Sequence, residues 1–200
     1  MAAAAKTHVI AFGKASSVPW PAGSGDHKPV PLKVRPLIVD GHVKDYTYGP
    51  SHDVTDRLFV VRRAYRVNDS LPEDHPSTPQ WTWRLGGWIS VDREAGHIAQ
   101  LSLPAFDSEA SEASWYRDYA AYCGVSDDGS KAYMLVWQLG KRKPLLKKEV
   151  AGTSCPAPKW ERAPSRVTFV VAGEKSSFIV RARGADVQAE TGEEEGHRQE

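Results

Sequence analysis

The stretch Lys131–Leu139 reads KAYMLVWQL, and it limits what this chain can fold into more than any other segment. Its odd positions give Tyr133, Leu135, Trp137 and Leu139, and its even positions give Ala132, Met134 and Val136. Successive side chains of a strand point to opposite faces, so both faces of this strand are apolar. A sheet with one wet face would alternate apolar and polar residues. Each face must therefore be covered by another layer. Just upstream, Ser126-Asp127-Asp128-Gly129 supplies the residue types that tolerate positive φ and bond back to their own backbone. Aromatic and β-branched runs flank it on both sides, so residues 114–150 are expected to centre on a β-hairpin.

The rest of the chain repeats this chemistry. Thr7–Gly13, Val30–Asp40, His42–Tyr48, Asp56–Asn68, Trp81–Asp92, His97–Leu103, Arg166–Val171 and Ser177–Arg183 all carry strand patterns. Pro31 and Pro36 are expected to push the second of these to a sheet edge or break it with a bulge. Gly86-Gly87 interrupts the Trp81–Asp92 alternation and marks a bulge or a close approach of another segment. Asp107–Ala113 is the one helix candidate, one or two turns long, with Asp107 or Ser108 as its cap. The fold class is therefore all-β, with antiparallel hairpins and one short helix.

Length fits one domain, expected over residues 1–186. Residues 187–200 hold five Glu and one Arg, a net of −4 within a chain whose formal charge is +1. They carry one aliphatic residue, Val187, and are expected to form a disordered acidic tail. No global charge points to nucleic acid or a membrane surface. No apolar run reaches membrane-span length, and no export leader is read at the N-terminus. Cys123 and Cys155 make no disulfide framework; free thiols are expected, with a bridge between the two as the alternative, and the lack of a leader favours the cytoplasm.

Three hairpins share one shape: a buried-looking run, a turn near Gly41, Gly96 or Gly140, then a more polar strand. The spacing of these turns is in the range of four-stranded propeller blades. The Ser126–Gly129 turn followed by Lys131-Ala132-Tyr133 resembles the turn between inner strands of WD40-like propellers. That resemblance covers residues 120–150 well and the rest loosely, and the Gly-His and Trp-Asp dipeptides of that family are missing. It implies propeller-like blades, three to four units and so an incomplete ring; the alternative is a β-sandwich. The chain as a whole is similar to bacterial proteins of uncharacterised function, a resemblance that implies no activity.

The seven His residues form no pair at metal-ligand spacing, and none stands near a Cys. Asp127-Asp128-Gly129 is followed by Ser130-Lys131 rather than a calcium-loop pattern. There is no GxSxG, P-loop or GxGxxG, so neither a catalytic residue, a metal site nor a cofactor is expected.

Trp81-Thr82-Trp83 places two indoles on one face of a strand. An open face makes them a platform for a sugar or peptide, and a closed one makes them a core wall. Tyr116, Arg117 and Asp118 form a second cluster, either presenting a fork to an acidic partner or making a structural ion pair. Arg62, Arg63 and Arg66, and Lys141-Arg142-Lys143 with Lys147-Lys148, are basic runs read as solvated edges guarded by charge.

These features lead to a non-enzymatic β-rich binding or scaffold protein, with a protein, peptide or sugar as partner and Trp81, Trp83, Tyr116, Arg117 and Asp118 as ligand-binding candidates. The alternative is an enzyme whose site assembles across loops from Tyr116, Arg117, Asp118 and a His. A second alternative is nucleic-acid binding through the basic runs.

Overall fold

The computed structural model describes residues 7–21, 28–70, 79–152, 155–181 and 187–189. The described residues are all-β, in antiparallel sheets without a helix. The chain divides into two compact units, residues 1–109 and 110–200, where length alone suggests one domain. The hydrogen-bonded sheets explain the division, because each sheet closes within its own unit.

In the first unit, five strands run up and down in chain order. They are β3 (Val30–Val39), β4 (His42–Asp53), β5 (Leu58–Asn68), β6 (Trp81–Asp92) and β7 (Ile98–Leu101). Two short strands, β1 (Ile10–Phe12) and β2 (Ser16–Trp20), lie end to end along the outer side of β3. Pro31 and Pro36 thus neither end β3 nor leave it at an edge. The gap between β1 and β2 falls opposite Arg35 and Pro36, and the register shift of the β3–β4 pair follows at Leu37/Ile38. The missing N–H of Pro36 therefore lies where the outer ladder is already interrupted.

The expected bulge at Gly86-Gly87 is present. Leu85 pairs with Ala64 and Trp88 with Arg62, so two glycines on β6 oppose Arg63 alone. Beyond this point β5 turns different residues to the same neighbours. Ala64 packs with Leu32, Val34 and Leu85, whereas Phe59 and Val61 pack with Leu37, Ile89 and Val91. Alternation along β5 puts Ala64 on one face and Phe59 and Val61 on the other. The sheet accordingly carries a small core on each face, one toward each end.

The second unit stacks two four-stranded meanders. The first holds β8 (Ser114–Tyr116), β9 (Tyr119–Val125), β10 (Ala132–Gln138) and β11 (Leu146–Val150). The second holds β12 (Lys159–Glu161), β13 (Arg166–Val171), β14 (Glu174–Val180) and β15 (Val187–Ala189). Ala121, Cys123, Met134 and Val136 from the first sheet share a core with Val167, Phe169, Phe178 and Val180 from the second. On the opposite parity of β10, Leu135 and Trp137 are buried as well. The strand is covered on both faces, as its apolar odd and even positions require.

The turns at Gly41, Gly96 and Gly140 all have positive φ, as does Gly129 in the Asp-Gly turn. β13 falls on the expected Arg166–Val171, and β14 starts at Glu174, immediately after the Ala172-Gly173 turn. Of the expected acidic tail, Val187–Ala189 pair with β14, and residues 190–200 lie outside the described residues.

Two expectations are corrected. Asp107–Ala113 is not a helix: residues 108–110 form a turn, and Asp107 Oδ1 accepts the Glu109 backbone N–H at 2.7 Å. Seven residues barely pass the costly nucleus of a helix, and Asp107 satisfies the backbone locally instead. The two cysteines are not free thiols either. Cys123 on β9 is bonded to Cys155 in the segment before β12, with Cα atoms 5.8 Å apart. Cys155 is buried in the core that the two sheets share, beside Cys123. Among the described residues no helix is long and apolar enough to cross a membrane.

Candidate functional site

The Trp81-Thr82-Trp83 motif opens β6, directly after the loop that follows β5. The hairpin pairs Asn68 with Trp81 and Arg66 with Trp83. Trp81 and Trp83, two residues apart, project to one side, and the Arg66 side chain rises between them. Its guanidinium carbon lies 5.4 Å from the Trp81 ring centre and 5.6 Å from that of Trp83. Each such cation–π contact contributes about 0.5–1 kcal/mol at an exposed site. Trp83 also receives Tyr46 edge-on at 5.2 Å and packs against the Leu32, Val34, Ala64 and Leu85 cluster. Trp81 is 56 % exposed. Trp83 is thus packed as part of a core wall, and Trp81 is open to solvent.

Beside Trp81 lies an open cleft of about 300 Å³, lined by Val43, Lys44, Asp45, Tyr46, Arg63, Tyr65 and Arg66 among others. Val43 is a second exposed apolar side chain there. Within the cleft Arg63 is paired: its Nε lies 2.9 Å from Asp45 Oδ2. Lys44 and Arg66 have no acidic partner among the described residues. The lining is thus aromatic and net cationic.

The basic run on β5 is not a solvated edge. β5 is a central strand, and Arg62 is buried, donating from Nη2 to the Ser108 carbonyl and from Nε to the Gly86 carbonyl at 3.3 Å. Its guanidinium also lies over Phe106. Lys147 and Lys148 do lie on an edge strand, β11, with Lys147 over the Tyr133 ring and Lys131 paired to Glu149.

Tyr116, Arg117 and Asp118 sit in the second unit, at the tight turn joining β8 to β9, where Tyr116 pairs with Tyr119. Arg117 occupies a left-handed conformation, φ 53°, that a two-residue hairpin loop demands at this place. Tyr116 stacks on Trp160 at 5.5 Å, and Arg117 lies over the Tyr116 ring. The Trp160 indole donates to the Ser114 carbonyl at 3.2 Å. Asp118 Oδ2 accepts from Gln138 Nε2 at 2.8 Å, and the Asp118 carbonyl accepts the Leu139 N–H. Burial raises the Tyr119 hydroxyl above its ordinary pKa, helped by the Asp118 charge and opposed by Arg117. The described part of this unit contains no histidine, so the Tyr–Arg–Asp–His assembly does not form within it. These contacts tie the β8–β9 turn to β10 through Asp118 and to β12 through Tyr116.

Among the described residues no group of three or more His, Cys, Asp or Glu side chains could hold a metal ion. Arg66, which contacts Trp81, and Lys44, Tyr46 and Tyr65, which line the same cleft, were not joined to it by the sequence reading. A signal for Arg66 was available, because registering Asn68 against Trp81 across the loop sets Arg66 opposite Trp83. Lys44 and Tyr46 come from the β3–β4 hairpin and carry no such signal. Comparison with protein-family models, with curated proteins and with solved structures finds no match.

Proposed function

We propose that this chain is a non-enzymatic β-rich binding or scaffold protein, whose ligand face is the end of the β5–β6 hairpin carrying Trp81. One observation carries the reading: an indole more than half exposed, with the Arg66 guanidinium against its ring, beside a cleft with an aromatic rim. An exposed large aromatic forgoes burial energy, and aromatic side chains are enriched where proteins meet partners. The cation–π contact with Arg66 favours one placement of the ring, and a ring placed before the ligand arrives lowers the ordering cost of binding. The one acid of the cleft, Asp45, is engaged by Arg63 and offers no free general base.

Two consecutive four-stranded meanders stacked over one core is an arrangement that neighbouring propeller blades and sandwiches share. Either leaves loops and strand ends for contacts. The Cys123–Cys155 bridge favours an oxidising compartment over the cytoplasm expected from sequence, because reduced compartments keep such pairs open.

Probing immobilised glycan and peptide arrays with the wild-type protein and with Trp81→Ala tests the reading. The expected result is a set of ligands bound by wild type and lost in the variant. Binding that is identical for both proteins across all ligands would overturn it.

A further inference from the structure

We infer that the cleft beside Trp81 takes an acidic sugar, a pyranose ring bearing a carboxylate. The inference rests on the reading of the Trp81 face as a ligand surface and narrows its ligand class. Charge complementarity carries the step. The charged groups of the cleft are Lys44, Arg63, Arg66 and Asp45. Arg63 and Asp45 neutralise one another at 2.9 Å. Lys44 and Arg66 remain, with no acidic partner among the described residues, so the cleft presents two positive charges to its occupant.

The placing of Arg66 matters as much as its charge. The guanidinium carbon lies 5.4 Å and 5.6 Å from the Trp81 and Trp83 ring centres, and the guanidinium makes no hydrogen bond or ion pair among the described residues. The in-plane N–H donors stay available, and their fork fits a carboxylate. The outer surface of the Trp81 indole offers a flat apolar area on which the C–H face of a sugar ring can lie. The ring and the acid group would thus be held by adjacent side chains of one hairpin, with Lys44 as a second cation from the neighbouring one.

The size of the cleft sets the scale. About 300 Å³ is at the lower end of the usual range for small-ligand sites. It suits one or two sugar rings. A nucleic-acid strand needs a run of cations along its backbone and several aromatic faces for successive bases. Here only one indole is open, since Trp83 is closed by Arg66, Tyr46 and the apolar cluster beneath it.

The test is calorimetric titration of the full chain with three probes: a uronic-acid trisaccharide, its carboxyl-reduced neutral counterpart, and a single-stranded oligonucleotide. Trp81→Ala and Lys44→Gln are titrated alongside, with circular dichroism to confirm that each is folded. Lys44 is exposed, so its replacement leaves the fold intact. The expected result is saturable uronate binding, weakened about tenfold or more in each variant and for the neutral sugar, the loss of one good contact. Equal binding of the neutral sugar, still lost in Trp81→Ala, would overturn the acidic-sugar inference and leave the ligand face standing. Tighter binding of the oligonucleotide would overturn it in favour of a nucleic acid. No binding of either sugar would also overturn it, while array ligands lost in Trp81→Ala would still support the face.

Discussion

Cys123 and Cys155 are bonded inside the core of the second unit, 32 residues apart in the chain. Cys123 belongs to the β8–β11 sheet, and Cys155 lies in the segment that leads into β12. The bridge therefore ties the strand that starts one sheet's hairpin to the entrance of the next sheet. Closing a loop of this length removes denatured-state entropy equivalent to about 3–4 kcal/mol. Replacing both cysteines with Ala should lower unfolding stability by about that amount. Reductant should destabilise the wild-type protein and leave the double variant unaffected. Denaturant unfolding with and without reductant measures both, and an unshifted wild-type transition would show that the bridge is not formed.

Met134 and Trp137 point to opposite faces of β10, and they are 2 % and 4 % exposed. Met134 lies in the core shared with β13 and β14, and the Trp137 indole donates to the Lys141 carbonyl at 2.8 Å. Met134→Ala should cost about 2–5 kcal/mol and Trp137→Ala about 3–5 kcal/mol, as large deletions from packed cores do. Unfolding of the two single variants in denaturant reads this directly. A small loss in either would mean that one face of the strand is wet.

The double burial of β10 was legible because side-chain parity is a property of the sequence. So were the turns at Gly41, Gly96, Gly129 and Gly140, where residue type and backbone conformation are coupled locally. The bulge at Gly86-Gly87 belongs to the same class. What could not be read depends on contacts between distant segments. The Cys123–Cys155 bridge needs Cys155 to turn into the core, and nothing in the residues around it announces that. Helix propensity in Asp107–Ala113 loses to a local side-chain bond from Asp107, since so short a segment gains little from helical order. Of the candidate site, the Trp81–Trp83 pair was legible as two indoles on one face. Arg66 between them depends on the register across a loop, and Lys44 and Tyr46 on the pairing of β4 with β5.

Gly86 and Gly87 share the bulge, but their surroundings differ. A Cβ on Gly86 would come within 3.3 Å of both the Cβ and the carbonyl oxygen of Arg63, and 3.4 Å of the Tyr65 ring. A Cβ on Gly87 would meet nothing within 4 Å. The Arg63 backbone is held in the middle of the sheet and cannot retreat freely. Gly86→Ala should therefore destabilise by about 1–3 kcal/mol, the usual cost of overpacking. Gly87→Ala should stay within about 0.5 kcal/mol. Thermal unfolding of the two variants separates the outcomes, and equal losses would contradict the asymmetry of the bulge.

Asp128 governs the acid response of the Ser126–Gly129 turn. Its carboxylate accepts the Ser126 hydroxyl at 2.6 Å, the Ser130 N–H at 3.0 Å and the Ser130 hydroxyl at 2.8 Å. The Ser126 bond contributes most, and together they lower its pKa from 3.8 to about 2. A depressed carboxylate pKa means that the folded chain binds the proton more weakly than the unfolded chain. The stabilisation is therefore fully present above the unfolded value and is lost as pH falls through 3.8 toward 2. Asp92 titrates at lower pH than an ordinary carboxylate too, because Arg57 donates to it, and its effect is common to wild type and variant. Asp128→Asn removes only the Asp128 contribution. Thermal midpoints of both proteins, measured from pH 5 down to about 2, should start apart and converge as the acid limb is entered. Curves that run parallel throughout would show that the turn does not hold Asp128 ionised.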